Sequence, residues 1–235
     1  MPTATETRLL SFNRWTFRLR PAQADPARLL VLLHGWKGSE DSMWVFTNGL
    51  APEYALLAPR GPFADPERGY TWRERKGTRI GYPSLADLLP AAQALLIFLD
   101  AWSASAGIDG RTFDVMGFSL GAVLAYALAA THPERIRSIA ALAGFLPPGV
   151  EDLLAARPLA GKAVFVTHGT NDDMVPIERA RKAVALLESS GAYVTYCESR
   201  AGHKVSRECF SAIREFFSAP DAPGGPSPSG EHGNV

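Results

Sequence analysis

Short apolar runs recur along the chain and predict β-strands. The first, Trp15–Leu19, alternates apolar and polar residues, which is typical of a strand that is buried on one face. The later runs are more continuously apolar and indicate strands buried on both faces. They are Leu29–Leu33, Tyr54–Ala58, Phe113–Met116, Ser138–Leu142, Ala163–Thr167 and Tyr193–Cys197.

Between these runs, the apolar residues follow helical patterns. The predicted helices are Ser84–Trp102, Ala122–Ala130, Ile177–Ser189 and Ser206–Phe217. The segment from Ser84 to Asp87 matches a capping box, but Pro90 predicts that this helix either starts later or kinks. Strands that alternate with helices predict an α/β fold, in which helices cover both faces of a mostly parallel central sheet.

The folded domain is predicted to span residues 8–218. Inside it, Pro59–Pro83 is the longest irregular segment, and a loop of that length is usually functional or mobile. The segment between Gly144 and Ala163 is too short to hold a large cap domain, so we expect an open site. After the domain, Ala219–Val235 is rich in Pro, Gly and Ser, which predicts a disordered tail.

The composition excludes several classes of protein. Hydrophobic residues make up 46% of the 235 residues, as in ordinary globular domains. The 24 basic and 24 acidic residues give no net charge, which argues against a nucleic-acid partner. No run reaches the roughly 18 consecutive apolar residues of a spanning helix, and Met1–Pro21 lacks the apolar core of a signal peptide. Cys197 and Cys209 are predicted to be free thiols in a reducing cytoplasm.

The strongest chemical signal is the sequence Gly117-Phe118-Ser119-Leu120-Gly121. It lies between a predicted strand and a helix rich in small residues, which is the context that a G-x-S-x-G nucleophile turn requires. In such a turn the glycines avoid steric collisions, and the serine lies at a helix N-terminus that favours a developing oxyanion. Ser119 is therefore the predicted nucleophile.

A serine nucleophile needs a base, and the chain has five histidines. His203 lies between the last strand and the last helix, where a loop side chain can reach a nucleophile on an inner strand. The alternative for His203 is an ordinary surface histidine. His132 is interpreted as a solvated loop residue, and His232 lies in the predicted tail.

The acid that orients the base is expected between Ser119 and His203 in the chain. Asp172 and Asp173 both follow the strand Ala163–Thr167, and residue spacing does not choose between them. His168, which opens the same segment, is interpreted as a structural residue of the turn.

The backbone N–H groups of Trp36 and Leu120 are the predicted oxyanion donors. Leu120 follows the nucleophile, and Trp36 follows an early buried strand, where the second donor of such sites arises. His34 is interpreted as a residue that braces this loop.

Aromatic residues near the long loop are candidates for an acyl pocket. Tyr70, Trp72 and Phe118 are the predicted substrate-binding residues, while Trp36 and Trp44 are weaker candidates because aromatic side chains more often lie in the core. The run Arg73–Arg79 contains four basic residues. It is either a solvated surface or a patch that attracts an anionic substrate.

Taken together, these motifs resemble the phospholipase/carboxylesterase family of small α/β-hydrolases. They are Leu33–Gly38, Gly117–Gly121, Ala143–Pro147, His168–Pro176 and Gly202-His203, in the order and spacing of that family. The resemblance covers most of residues 28–217. It implies Ser119 as nucleophile, Asp172 as acid and His203 as base, with no metal or organic cofactor. Many members carry Gln at the position of Leu120, which weakens inference about the substrate.

The predicted function is therefore hydrolysis of carboxylic esters by a serine enzyme that acts on small acyl esters or thioesters. An acyl-thioesterase or a lysophospholipase would use the same triad. A peptidase and a non-catalytic binding protein on the same fold are further alternatives.

Overall fold

The computed structural model describes residues 7–25, 27–74 and 81–218. The tail predicted over Ala219–Val235 lies outside the described residues, as do positions 75–79 of the basic run. The strands are β1 (Arg8–Phe12), β2 (Trp15–Arg20), β3 (Arg28–Leu33), β4 (Tyr54–Pro59), β5 (Phe63–Ala64), β6 (Tyr70–Thr71), β7 (Phe113–Phe118), β8 (Ile136–Leu142), β9 (Ala163–Gly169) and β10 (Tyr193–Ser199). The helices are α1 (Leu85–Ala106), α2 (Leu120–Thr131), α3 (Glu151–Ala155), α4 (Ile177–Ser189) and α5 (Arg207–Ser218).

Eight strands form one sheet in the order β1-β2-β4-β3-β7-β8-β9-β10. Neighbouring strands from β4 to β10 are parallel, whereas β2 is antiparallel to both β1 and β4. In the described part of the chain, the connection from β8 to β9 holds only the five-residue α3 rather than a cap domain. The architecture is the predicted α/β class with a mostly parallel sheet.

Alternating side chains of the central strands enter two apolar cores on opposite faces of the sheet. In β3, Leu29, Val31 and Leu33 face one core, whereas Leu30 and Leu32 face the other. The first core includes buried side chains of α1, α2, α3 and α4, and the second includes those of α5. Helices therefore cover both faces, as the apolar runs predict.

The longest helix, α1, begins with a capping box. The backbone N–H of Asp87 donates to Ser84 Oγ at 3.3 Å, and the N–H of Ser84 donates to Asp87 Oδ2 at 3.0 Å. The helix starts at Leu85 and continues through Pro90, so the first of the two predicted alternatives, a later start, is wrong. The reason is that the capping box satisfies the first-turn N–H groups and so sets the start of the helix.

Among the described residues, α1 is also the one helix that is long and apolar enough to cross a membrane. However, half of its most apolar 18-residue stretch is buried inside the fold. Leu95 and Leu99 have no exposed surface and belong to the first core. This packing is that of a core helix, and a core helix can be as long and as apolar as a membrane-spanning one.

Cys197 and Cys209 form a disulfide, so the prediction of free thiols is wrong. Cys197 lies in β10 and Cys209 in α5, and the packing of these two elements brings their Cα atoms to 5.7 Å. Sequence spacing could not reveal the pairing, because it depends on the distance between two elements in the fold. The cytoplasmic location loses the support of reduced thiols and stays a prediction from the sequence.

Candidate active site

The candidate site lies at the carboxyl ends of β3 and β7, near the middle of the sheet. The chain passes from β3 to β4 on one side and then returns to β7 on the other side. Open α/β sheets bind their ligands at such a topological switch point. Trp36 follows β3 and Ser119 follows β7, so the two residues meet at this edge.

Ser119 occupies a sharp turn between β7 and α2. Its φ of 52° and ψ of −118° are strained for a residue with a side chain. Glycines on either side permit the turn: a Cβ at Gly117 would collide with the backbone of Gly121, and a Cβ at Gly121 would collide with the carbonyl group of Leu33. The turn thus positions the serine where α2 begins, next to the unbonded N–H groups of a helix N-terminus.

Three side chains from separate segments form a continuous hydrogen-bonded chain. Ser119 Oγ lies 2.9 Å from Nε2 of His203, in the loop between β10 and α5. Nδ1 of the same imidazole lies 2.7 Å from Oδ2 of Asp172, in the loop after β9. The structure brings together the three residues predicted as nucleophile, base and acid.

Of the two neighbouring carboxylates, Asp172 is the one that faces the imidazole. Its Oδ1 accepts hydrogen bonds from the backbone N–H groups of Met174 at 3.0 Å and Val175 at 2.9 Å. These bonds fix the carboxylate, which is buried, so that Oδ2 remains turned toward His203. Asp173 is exposed. Tertiary structure therefore separates two residues that spacing left equal.

His168 is buried next to the Asp172 carboxylate. Its Nε2 lies 2.8 Å from the carbonyl oxygen of Val175, to which it donates, and 3.3 Å from Asp172 Oδ2. Its Nδ1 has no hydrogen-bond partner within the part of the chain that the structure describes. These contacts join β9 to the loop that follows it, which is consistent with the structural role predicted for His168.

The predicted oxyanion donors both belong to the wall of a cavity beside the serine. Trp36 and Leu120 line this cavity together with Ser119. Leu120 is the first residue of α2, where no intrahelical acceptor exists for its N–H group. The N–H of Leu120 is therefore available for a ligand oxygen next to the hydroxyl group.

His34 braces the loop that carries Trp36. The N–H of Gly61 donates to His34 Nε2 at 2.9 Å, and Nδ1 lies 2.7 Å from the carbonyl oxygen of Gly35. Burial lowers the pKa of His34 to about 4, so its ring is neutral near pH 7. Trp72 Nε1 donates to the His34 carbonyl oxygen at 2.8 Å and holds the same loop from its other side.

The cavity has a volume of about 180 Å³ and a mainly apolar wall. Its apolar and aromatic lining residues include Trp36, Tyr82, Leu120, Phe145, Met174 and Val175. The Tyr82 ring packs edge-on against Phe145 with centroids 4.9 Å apart, and its hydroxyl donates to the carbonyl oxygen of Met174 at 3.2 Å. The segments that follow β8 and β9 therefore both contribute residues to the wall of the cavity.

The predicted acyl pocket of Tyr70, Trp72 and Phe118 needs correction, because these side chains lie outside the cavity lining. Trp72 is fully buried in the core. The Tyr70 hydroxyl accepts a hydrogen bond from Arg60 at 3.1 Å. The Phe118 ring packs against the His203 imidazole, with centroids 5.2 Å apart.

Sequence reasoning named Trp36 as a weaker candidate for the pocket but missed most of the other side chains that form the wall. Phe145 and Met174 follow the carboxyl ends of β8 and β9, the edge of the sheet where ligands bind, and this position was a usable signal. Arg73 also lines the cavity. Arg73 thus faces the cavity, while its neighbour Trp72 is buried in the core.

The fold and the site together define an α/β-hydrolase. The parallel sheet carries its serine turn after a central strand, and the histidine and carboxylate come from loops after later strands. A family model described as phospholipase/carboxylesterase matches residues 17–220. The chain belongs to the phospholipase/carboxylesterase family, a family of esterases, and the resemblance seen in the sequence is confirmed.

Solved structures of similar fold include esterases and a thioesterase. A carboxylesterase from Mesorhizobium loti is 24% identical with a TM-score of 0.74, covering 91% of this chain and 99% of that one. A carboxylesterase from Bacillus cereus is 21% identical with a TM-score of 0.73, covering 87% and 94%. Acyl-protein thioesterase 2 from Zea mays is 17% identical with a TM-score of 0.68, covering 86% and 96%. A comparison with curated proteins found no match.

Proposed function

We propose that this protein is a serine hydrolase that cleaves small carboxylic esters through an acyl-enzyme intermediate. The observation that carries the proposal is the chain of hydrogen bonds from Asp172 through His203 to Ser119 at the edge of an apolar cavity. A nucleophile, a base and an orienting acid are the groups that acyl transfer requires. Membership of an esterase family supports the same reaction class.

In the proposed mechanism, His203 Nε2 accepts the Ser119 proton while Oγ attacks the acyl carbonyl carbon. Asp172 accepts a hydrogen bond from Nδ1–H, which sets the tautomer and stabilises the imidazolium. When the tetrahedral intermediate collapses, the bond to the alcohol oxygen breaks and His203 returns the proton to the leaving alcohol. A water molecule, deprotonated by His203, then attacks the carbonyl carbon of the acyl-serine. The bond between this carbon and Ser119 Oγ breaks, His203 returns the proton to Oγ, and the carboxylic acid departs.

The backbone N–H groups of Trp36 and Leu120 are the proposed donors to the oxyanion. Donors of this kind commonly contribute about 3 kcal/mol each to transition-state stabilisation. The network around His34 keeps the Trp36 loop in place before substrate arrives, so little reorganisation accompanies the reaction. The apolar wall is proposed to receive part of the substrate.

The nucleophile is tested by comparing Ser119→Ala with Ser189→Ala, since Ser189 is an exposed serine at the end of α4. We expect Ser119→Ala to retain no more than about 10⁻³ of the ester hydrolysis and to lose labelling by a fluorophosphonate. Ser189→Ala should retain both properties, and both variants should unfold near the wild-type temperature. Substantial hydrolysis by Ser119→Ala would reject Ser119 as nucleophile.

The substrate class is tested with acyl esters, acyl thioesters and amides of graded chain length. Faster hydrolysis of the esters supports the proposal. Preference for thioesters would assign a thioesterase, and release of amines but not alcohols would assign a peptidase. Failure to cleave any of these substrates, together with an unreactive Ser119, would assign a non-catalytic binding protein.

A further inference from the structure

Arg73 is the one charged side chain among the described residues that line the cavity beside Ser119. One N–H of its guanidinium donates to the carbonyl oxygen of Gly81 at 2.9 Å. Within the described part of the chain, no carboxylate forms an ion pair with it. A guanidinium has five N–H donors, so several remain for a ligand.

The surroundings of Arg73 favour an anion with an apolar body. The wall next to it is built from rings such as Trp36, Tyr82 and Phe145. The guanidinium of Arg179 lies over the Tyr82 ring, 3.6 Å from its centroid, and adds a second positive charge near this wall. Charges beside apolar walls are screened less than charges in open water, so an anion here gains more from pairing.

The catalytic carboxylate does not neutralise this positive charge. Asp172 directs one oxygen to two backbone N–H groups and the other to His203. It is buried within its own loop, and its Oδ2 also lies 3.3 Å from Nε2 of His168. Among the described residues, therefore, no carboxylate offsets the positive charge of Arg73, and an anionic ligand in the cavity can pair with it.

We propose that the natural substrate is an ester that carries a carboxylate, and that Arg73 binds this carboxylate in the cavity. The inference rests on the proposed esterase function and adds the substrate class. The planar fork of a guanidinium matches the two oxygens of a carboxylate.

The cavity volume is large enough for a small group. A buried cavity of roughly 150 Å³ in another protein holds one benzene molecule, and the volume here is about 180 Å³. A short chain that ends in a carboxylate is of that size. The carboxylate belongs either to the acyl part or to the alcohol part of the ester, and the experiment separates these two sources.

The experiment measures kcat and KM in a pH-stat for two matched pairs of esters. Monoethyl glutarate against ethyl pentanoate places the charge on the acyl part. The butanoate ester of 3-hydroxypropanoate against propyl butanoate places it on the alcohol part. We expect at least about tenfold higher kcat/KM for the charged member of one pair, carried mainly by KM and reduced by added salt.

Arg73→Gln should reduce that ratio to about one. Arg73→Lys keeps the charge without the planar fork and should retain part of the preference, and its ratio provides the test if Arg73→Gln does not fold. The matched control is Arg111→Gln, which removes the same charge as Arg73→Gln. Arg111 precedes β7 and therefore lies at the opposite end of the sheet from Ser119. Its ratio should equal that of the wild type.

Each outcome separates the substrate class from the reaction class. Equal rates within both pairs, or a ratio that Arg73→Gln does not change, would overturn the role of Arg73 while ester hydrolysis itself stands. Failure to cleave any of the four esters, with no fluorophosphonate labelling of Ser119, would overturn the proposed function and this inference with it.

Discussion

Removing the disulfide should destabilise the fold and loosen the loop that carries His203. The bond joins Cys197 in β10 to Cys209 in α5, and His203 lies between the two cysteines in the chain. Apart from the bond, this loop is held by contacts such as the hydrogen bond from the N–H of Asn171 to the carbonyl oxygen of Ala201, at 2.9 Å. The disulfide therefore restrains the segment on which the base is mounted.

The size of the effect follows from the length of the closed loop. The cysteines are 12 positions apart, and in the chain-entropy model a loop of that length contributes about 3 kcal/mol at 25 °C. For a domain of this size, each 1 kcal/mol shifts the melting temperature by roughly 2–4 °C. Reduction should thus lower the melting temperature by about 6–12 °C.

The assay compares thermal unfolding and ester hydrolysis of the protein with and without a thiol reductant. The double variant Cys197→Ala/Cys209→Ala should have the lower melting temperature under both conditions, which controls for other effects of the reductant. We expect kcat to fall by a few fold while KM changes little, because a mobile His203 spends less time within hydrogen-bonding distance of Ser119.

Three results would refute this reasoning. Two reactive thiols per chain in the unreduced, denatured protein would contradict the disulfide itself. An unchanged melting temperature after reduction would contradict the loop-closure estimate. A lower melting temperature with an unchanged kcat would show that the bond stabilises the fold without holding His203 in position.

Two further predictions follow from the site. Asp172→Asn should lower kcat by several orders of magnitude, as loss of the orienting acid does in serine proteases (~10⁴). Asp173→Asn should lower kcat by less than about tenfold. If kcat measured at one pH shows the reverse ranking, the orienting acid is Asp173. Because burial lowers the pKa of His34 to about 4, the unfolded chain binds this proton at a higher pH than the folded one. The free energy of unfolding should therefore decrease by roughly 3 kcal/mol as the pH falls from about 6.5 to about 4. Denaturant titrations over this pH range should show that His34→Gln lacks this decrease in the free energy of unfolding. If the free energy of unfolding falls equally in variant and wild type, the role of His34 is contradicted.

The sequence alone predicted the features that depend on residues close together in the chain. The α/β class followed from apolar runs that alternate with helical patterns, and these patterns report which faces of each element are buried. The serine turn followed from Gly117 and Gly121, because the turn brings these two glycines so close that a Cβ at Gly117 would collide with the backbone of Gly121. The family resemblance then favoured Asp172, which local spacing could not separate from Asp173.

The tertiary structure decided everything that depends on residues far apart in the chain. The pairing of Cys197 with Cys209 required α5 to pack on β10. The wall of the cavity includes Phe145, which follows β8, and Arg73 and Tyr82, which precede α1, whereas the predicted Trp72 points into the core. A sequence pattern specifies which side of its own element a residue occupies. Which residues of other elements lie opposite is set by the packing of the whole sheet and its helices.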